Sequence, residues 1–178
     1  MCRRPSSFGQ EKDMRWVAII SILFVGCNDP SPKESPDMEL SANDVFWNET
    51  VDYWVESDLS DLPEPHPRMS AAFFYDAEVN NGGHLQYFQN RGVEEAPLVQ
   101  SALDYLNAPE LRSNFDRALQ KFRAQQRPPI RSLEEYSKIA DEGEFNDEDD
   151  EFYSVKPGLW DLIEEEVVAN QPAYRRPE

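Results

Sequence analysis

Glu78, His84 and Tyr87 lie within one short stretch of the chain. A carboxylate, an imidazole and a phenol can pass a proton between them when a fold makes them converge. The first chemistry to weigh is therefore general acid–base catalysis, with Glu78 or His84 as the base. The same residues also fit a structural use, because a histidine beside a glycine turn often caps or hydrogen-bonds locally. No glycine-rich phosphate loop, serine nucleophile elbow or zinc-binding histidine pair is present. With only His66 and His84, there is little material for zinc, and no metal or cofactor is expected.

A second feature is the acidic run Asp141-Glu-Gly-Glu-Phe-Asn-Asp-Glu-Asp-Asp-Glu151. Carboxylates suit hard cations such as calcium. A calcium-binding EF-hand loop started at Asp147 would need glycine at its sixth position, and Phe152 stands there. The run is better read as a solvated acidic interaction surface formed by Asp147, Glu148, Asp149, Asp150 and Glu151. Phe145, Phe152 and Tyr153 beside it are expected to anchor it to the core.

The whole chain leans the same way. Its 178 residues carry 35 acids against 17 bases, a net charge of −18. Such a chain is repelled by nucleic acid and by anionic lipid, so direct nucleic-acid binding is not expected. Its charge suits a basic protein partner, and equally suits plain solubility. At 39% apolar and 12% aromatic residues, there is enough for one packed core in a domain with a tail.

The elements that must position these residues read as helices. Trp47, Val51, Trp54 and Val55 follow helical spacing, and Ser41 with Asp44 can cap their start. Leu62-Pro-Glu-Pro-His-Pro67 then breaks the chain, since alternating prolines cannot continue a helix. A second helix is expected over about Arg68–Asn80, stopped at Gly82-Gly83, with His84–Asn90 as a short helix or turn. Leu98 to Leu106 make an apolar stripe. Leu111, Phe115, Ala118, Leu119 and Phe122 make another, with Asn107 and Glu110 as its capping box. Ser132 and Glu135 cap a stretch holding Leu133, Tyr136, Ile139 and Ala140. A last helix holds Leu159, Trp160, Ile163 and Val167. There is no period-two run and no internal repeat. The expected fold is all-α, a single compact bundle of about six helices.

The N-terminus has its own organisation. Trp16–Gly26 is an uncharged apolar run preceded by Arg15, too short to span a membrane and suited to a signal peptide. Met14 is an alternative start. Leu23-Phe24-Val25-Gly26-Cys27 resembles a bacterial lipoprotein signal, in which the cysteine receives lipid. Asn28 to Asp37 follows as a Pro/Ser-rich tether. An ordinary cleaved signal and a buried N-terminal helix remain the alternatives. The expected division is a signal at 1–26, a tether at 27–40, a helical domain at 41–170 and a polar tail at 171–178. Cys27 is the expected lipid attachment site, which would place the chain at the bacterial cell envelope. Cys2 and Cys27 both lie outside the folded region, so no internal disulfide is expected. Residues 27–178 carry 33 acids and 13 bases, a net charge of −20.

One stretch has a recognisable pattern. An acidic and an apolar residue, Glu78 and Val79, lead through Asn80 into Asn81-Gly82-Gly83, followed by His84-Leu85, Gln86-Tyr87-Phe88 and Asn90. This resembles the signature of the bacterial DNA-mimic protein family, and the likeness extends over about Asp44–Asn170. Asp149-Asp150-Glu151-Phe152-Tyr153 is similar to a later motif of that family. The resemblance implies an all-helical domain, often a homodimer, without catalysis. It also implies kinship with one characterised member that presents carboxylates where DNA presents phosphates and so occupies a DNA-binding transcription regulator. Three readings follow. One is a non-enzymatic acidic interaction domain displayed as a lipoprotein. Another is a cytoplasmic DNA mimic that inhibits a DNA-binding protein. The third is an enzyme using Glu78 or His84.

Overall fold

Pro67 stands in the first turn of the helix that organises the molecule, where its missing N–H costs nothing and its fixed φ favours entry. That helix, α2, runs over His66–Arg91 and buries Met69, Ala72, Phe73, Tyr75 and Val79 on its first half. The computed structural model describes residues 39–125, 130 and 132–177. The signal segment at 1–26 and Cys27 lie outside the described residues, as does all but the end of the tether.

Eight helices are described: α1 (Ala42–Glu56), α2, α3 (Ala96–Tyr105), α4 (Pro109–Ala124), α5 (Leu133–Asp141), α6 (Asn146–Ser154), α7 (Leu159–Ala169) and α8 (Gln171–Tyr174). A 3₁₀ turn at Leu59–Asp61 links α1 to α2. Among the described residues there is no strand. The fold is all-α, as the periodicity predicts. The two extra helices are short pieces, and α2 packs against α1, α3, α4, α6 and α7. Although α2 is 26 residues long, no described helix is both long and apolar enough to cross a membrane.

The capping expectations divide. Ser41 Oγ accepts from Asp44 N–H at 3.2 Å, and Asp44 Oδ2 accepts from Ser41 N–H at 2.8 Å, closing the expected box. Ser132 Oγ accepts from Glu135 N–H at 3.1 Å. Asn107 does not cap α4. It takes a left-handed φ of 52°, and α4 starts at Pro109 after Ala108 without a side-chain cap. The left-handed residue is what reverses the chain between α3 and α4.

Rings dominate the core. Phe88 stacks on Phe122 at 4.6 Å, and Tyr75 meets Tyr87 and Phe115 edge-on at 4.9 Å each. Edge-on and offset contacts of this kind add about 0.5–1.5 kcal/mol beyond area burial. Phe145 and Phe152 are buried as expected, but Tyr153 is half exposed. Trp160 is also partly exposed, although its ring rests on Trp47 at 5.3 Å and on Phe73 at 5.4 Å. The segment after Asn170 is not simply a polar tail. It forms α8, and Tyr174 is buried beside His66, with ring centroids 5.5 Å apart.

Candidate interaction surface and the motif at the helix kink

Gly82-Gly83 does not end α2 but bends it. Gly82 is extended at φ −164°, Gly83 has a left-handed φ of 73°, and helical geometry resumes at His84. A bend frees backbone groups that a continuous helix would pair, and buried backbone groups must find partners. Here side chains from distant elements supply them. Tyr153 donates to Val79 O at 2.7 Å, and Tyr136 donates to Gly82 O at 3.2 Å. Asp149 Oδ1 accepts from His84 N–H at 2.8 Å. A Cβ at Gly83 would run into the Asp149 carboxylate, and one at Gly82 into the Gln86 side chain.

His84 continues the network inward. Its Nδ1 lies 2.5 Å from Asp149 Oδ1, and its Nε2 lies 2.8 Å from the Tyr75 hydroxyl. With the carboxylate accepting, Nδ1 carries the proton and Nε2 accepts from Tyr75 O–H. Burial pushes the Tyr75 phenol far above its usual range, followed by the smaller effects of Tyr87 and of the Asp149 and Asp76 carboxylates. His84 and Tyr75 are both 0% exposed. The chain carboxylate–imidazole–phenol is therefore a buried brace, with no open face on Nε2 or the phenol for a reacting group.

Glu78, His84 and Tyr87 do not converge. Glu78 Oε2 accepts from Gln86 and from Asn90, at 2.8 Å each. The Tyr87 hydroxyl is buried, with no hydrogen-bond partner among the described residues. Phe88 is core, and Asn81 is exposed at the outside of the bend. Most of the pattern thus has a local job: Glu78, Gln86 and Asn90 tie the two halves of α2 together, and Gly82 and Gly83 make room.

The acidic run is only partly a surface. Asp147 and Asp150 are exposed, Glu148 is buried, and Asp149 and Glu151 are half-covered and held by partners on α2 and α4. Glu148, 5% exposed, pairs with Lys121 at 2.5 Å, and Lys121 also donates to Glu144 O at 3.0 Å. Arg117 pairs with Glu151, whose carboxyl it holds below the usual range. Asn114 donates to Glu148 O at 2.9 Å. Asn114, Arg117 and Lys121 sit at i, i+3 and i+7 on α4, so one helix face receives the inner side of α6. Of the five carboxylates expected to form one surface, Asp147 and Asp150 face solvent freely, whereas helical geometry turns Glu148, Asp149 and Glu151 toward partners on α2 and α4.

A different acidic surface stands out in the structure. Between Glu39 and Pro67 the sequence has eight acids and no lysine or arginine. Glu49, Asp52 and Glu56 fall at i, i+3 and i+7 on α1, and all three are exposed. Asp58, Asp61 and Glu64 continue the exposed row through the connection to α2. That spacing is legible in the sequence, although the run at 141–151 is denser. Asp76 was not legible: it is 4% exposed, and Asn80 Nδ2 donates to it at 3.0 Å. Its carboxyl is raised to about 6 by burial, offset by that hydrogen bond and by one from the Trp160 backbone N–H in the first turn of α7. Among the described residues, no group of three or more His, Cys, Asp or Glu is placed to hold a metal ion.

With this geometry in place, the model of the DMP19-like protein family matches residues 60–170. The chain belongs to that family. The match includes the kinked half of α2, α4 and α6, so the brace from His84 to Asp149 lies within the family's shared region. The acidic face of α1 precedes it. Comparison with curated proteins and with solved structures gives no match. The match agrees with the family that the Glu78–Asn90 pattern resembles, and with the all-helical fold expected from it.

Proposed function

We propose that this chain is a non-enzymatic acidic interaction domain that docks on a basic protein surface of the kind that otherwise holds DNA. The observation that carries this is the exposed row Glu49, Asp52 and Glu56, set in a stretch without a single cation. At about 1.5 Å rise per residue, those carboxylates are spaced about 4.5 and 6 Å along the helix axis. Phosphates of one DNA strand advance about 3.4 Å per nucleotide, so the two charge lattices are of the same order. Family membership supports the same partner class. The buried setting of His84 and Tyr75 argues against their use in catalysis.

A pull-down from lysate at low and high salt tests the reading. Basic partners are expected at low salt and lost as salt rises, because exposed charges are screened within about 10 Å at 0.1 M. Recovery of only salt-insensitive partners, or none, would overturn it.

We further propose that Cys27 carries lipid and displays the domain at the cell envelope. The motif Leu23-Phe24-Val25-Gly26-Cys27 and the Pro/Ser-rich tether support this. In that compartment the basic partner is not a chromosomal regulator. The second reading, a cytoplasmic DNA mimic, is favoured by family membership alone. Labelling cells with a radioactive fatty-acid precursor separates the two. Wild type is expected to take up label in the membrane fraction and Cys27→Ser is not; unlabelled wild type would remove the lipoprotein reading.

A further inference from the structure

A groove of about 620 Å³ runs beside α1. Phe46, Glu49, Asp52 and Glu56 of α1 line it, together with Arg175 and Arg176 from just beyond α8. We propose that this groove takes an arginine-bearing segment of the partner protein, and that Arg175 and Arg176 hold its place in the free molecule. The inference rests on the acidic-interaction reading above and narrows it to one site and one side chain.

The chain's own arginine shows how such a segment would sit. Tyr174 is 1% exposed and packed on His66, which fixes where the following residues emerge. Gln171 Nε2 donates to Asn43 Oδ1 at 3.1 Å, tying α8 to the start of α1. Arg176 Nη1 then donates to Glu56 Oε2 at 3.0 Å, and its guanidinium lies 5.1 Å from the centre of the Tyr53 ring. A planar guanidinium uses both contacts at once, carboxylate and ring face, which a lysine ammonium does less well. Phe46 offers apolar surface to the methylene stem of such a side chain.

The occupancy is weak and incomplete. Arg176 and Glu56 are 62% and 61% exposed, and an exposed pair of this kind is readily exchanged. Glu49 and Asp52 make no ion pair with any described cation. The groove thus presents three carboxylates and satisfies one. A partner segment that replaces Arg176 on Tyr53 and Glu56 gains Glu49 and Asp52 as well. The resident arginines therefore set a threshold: isolated cations and short neutral peptides do not displace them, whereas a segment with two or more arginines does.

The test uses the full chain and a labelled peptide of alternating arginine and glycine, titrated by fluorescence anisotropy. Arg175→Ala with Arg176→Ala is expected to tighten binding roughly two- to fivefold, the scale of one exposed ion pair. Removing two positive charges elsewhere raises affinity through the general field, so Arg123→Ala with Lys138→Ala serves as the charge-matched control and is expected to gain less. Glu49→Gln with Asp52→Asn and Glu56→Gln is expected to weaken binding and to abolish the gain from the arginine deletions. These are exposed positions, and circular dichroism checks that each variant is folded. Equal gains in the deletion and control variants overturn the proposal, as does equal binding of the matching lysine peptide. If the triple carboxylate variant still captures basic proteins in a salt-sensitive way, the groove is wrong while the broader interaction reading stands. If wild type itself captures none, the broader reading fails first.

Discussion

Asp76 is a carboxylate whose effect on stability runs against the usual direction. Burial raises its folded pKa to about 6, against 3.8 for an unperturbed aspartate. The folded state therefore binds this proton more tightly than the unfolded chain does. Its contribution to stability is complete below about 3.8 and is lost as pH rises through about 6. A shift of about two units corresponds to about 3 kcal/mol at most. Asp44 and Glu151 act oppositely: hydrogen bonds from Ser41 and Arg117 lower their pKa values, so their contributions are lost on acidification. The clean measurement is the difference between wild type and Asp76→Asn in urea melts from pH 7 to pH 4. Wild type should gain on the variant as pH falls; a constant difference would show that Asp76 does not titrate in this range. Gly83→Ala is a second residue-scale case. Its φ of 73° and the Asp149 carboxylate facing it leave no room for a methyl group, and a loss of about 2–4 kcal/mol is expected by thermal melting. A loss below 1 kcal/mol would mean that the bend relaxes at little cost.

At the scale of elements, the brace between α2 and α6 is the join to test. Asp149→Ala removes acceptors for both His84 N–H and Nδ1, leaving buried donors unpaired. A loss of about 3 kcal/mol is expected, since hydrogen bonds to a charged group are worth about 1.5–3 kcal/mol each and do not add fully. Lys121→Met should cost a similar amount, because it strands Glu148 inside the protein. If either variant melts like wild type, the inward reading of α6 is wrong. These joins mark the limit of what the sequence makes legible. Helix positions came through because apolar spacing is local: Leu111, Phe115, Ala118 and Leu119 announce α4, and four of the apolar positions in its stripe are buried. The Gly82-Gly83 break was equally plain, since only glycine fits it cheaply. That Asp149 faces inward was not legible. It sits among five consecutive acids, and the partner that singles it out is 65 residues away. The cap at α4 failed for a related reason. Asn107 and Glu110 have the right types and spacing, but the turn from α3 required a left-handed residue first.

The whole molecule is governed by its charge. Residues 27–178 carry a net −20, and like charges crowd the surface from α1 to the start of α2. Self-repulsion lowers stability and screening relieves it, so added sodium chloride is expected to raise the melting temperature by a few degrees. A melting temperature that falls with salt would indicate that internal ion pairs outweigh the net charge. The same field favours encounter with a basic partner and opposes nucleic acid, which makes affinity and stability respond to salt in opposite senses. Sequence composition alone conveyed this much. Its distribution did not, because Glu148, Asp149 and Glu151 of the densest acidic run are engaged by α2 and α4 while the sparser row on α1 stays outside.

The bond from His84 to Asp149 also sets an order of events in time. During translation the kinked half of α2 leaves the ribosome long before α6 exists. At about 5–20 residues per second, the 65 residues between them take roughly 3 to 13 seconds to make. Through that interval Asp149 is absent, so the bond that joins α2 to α6 cannot form. A chain truncated before Asp149 should therefore remain more open to proteases than the finished chain.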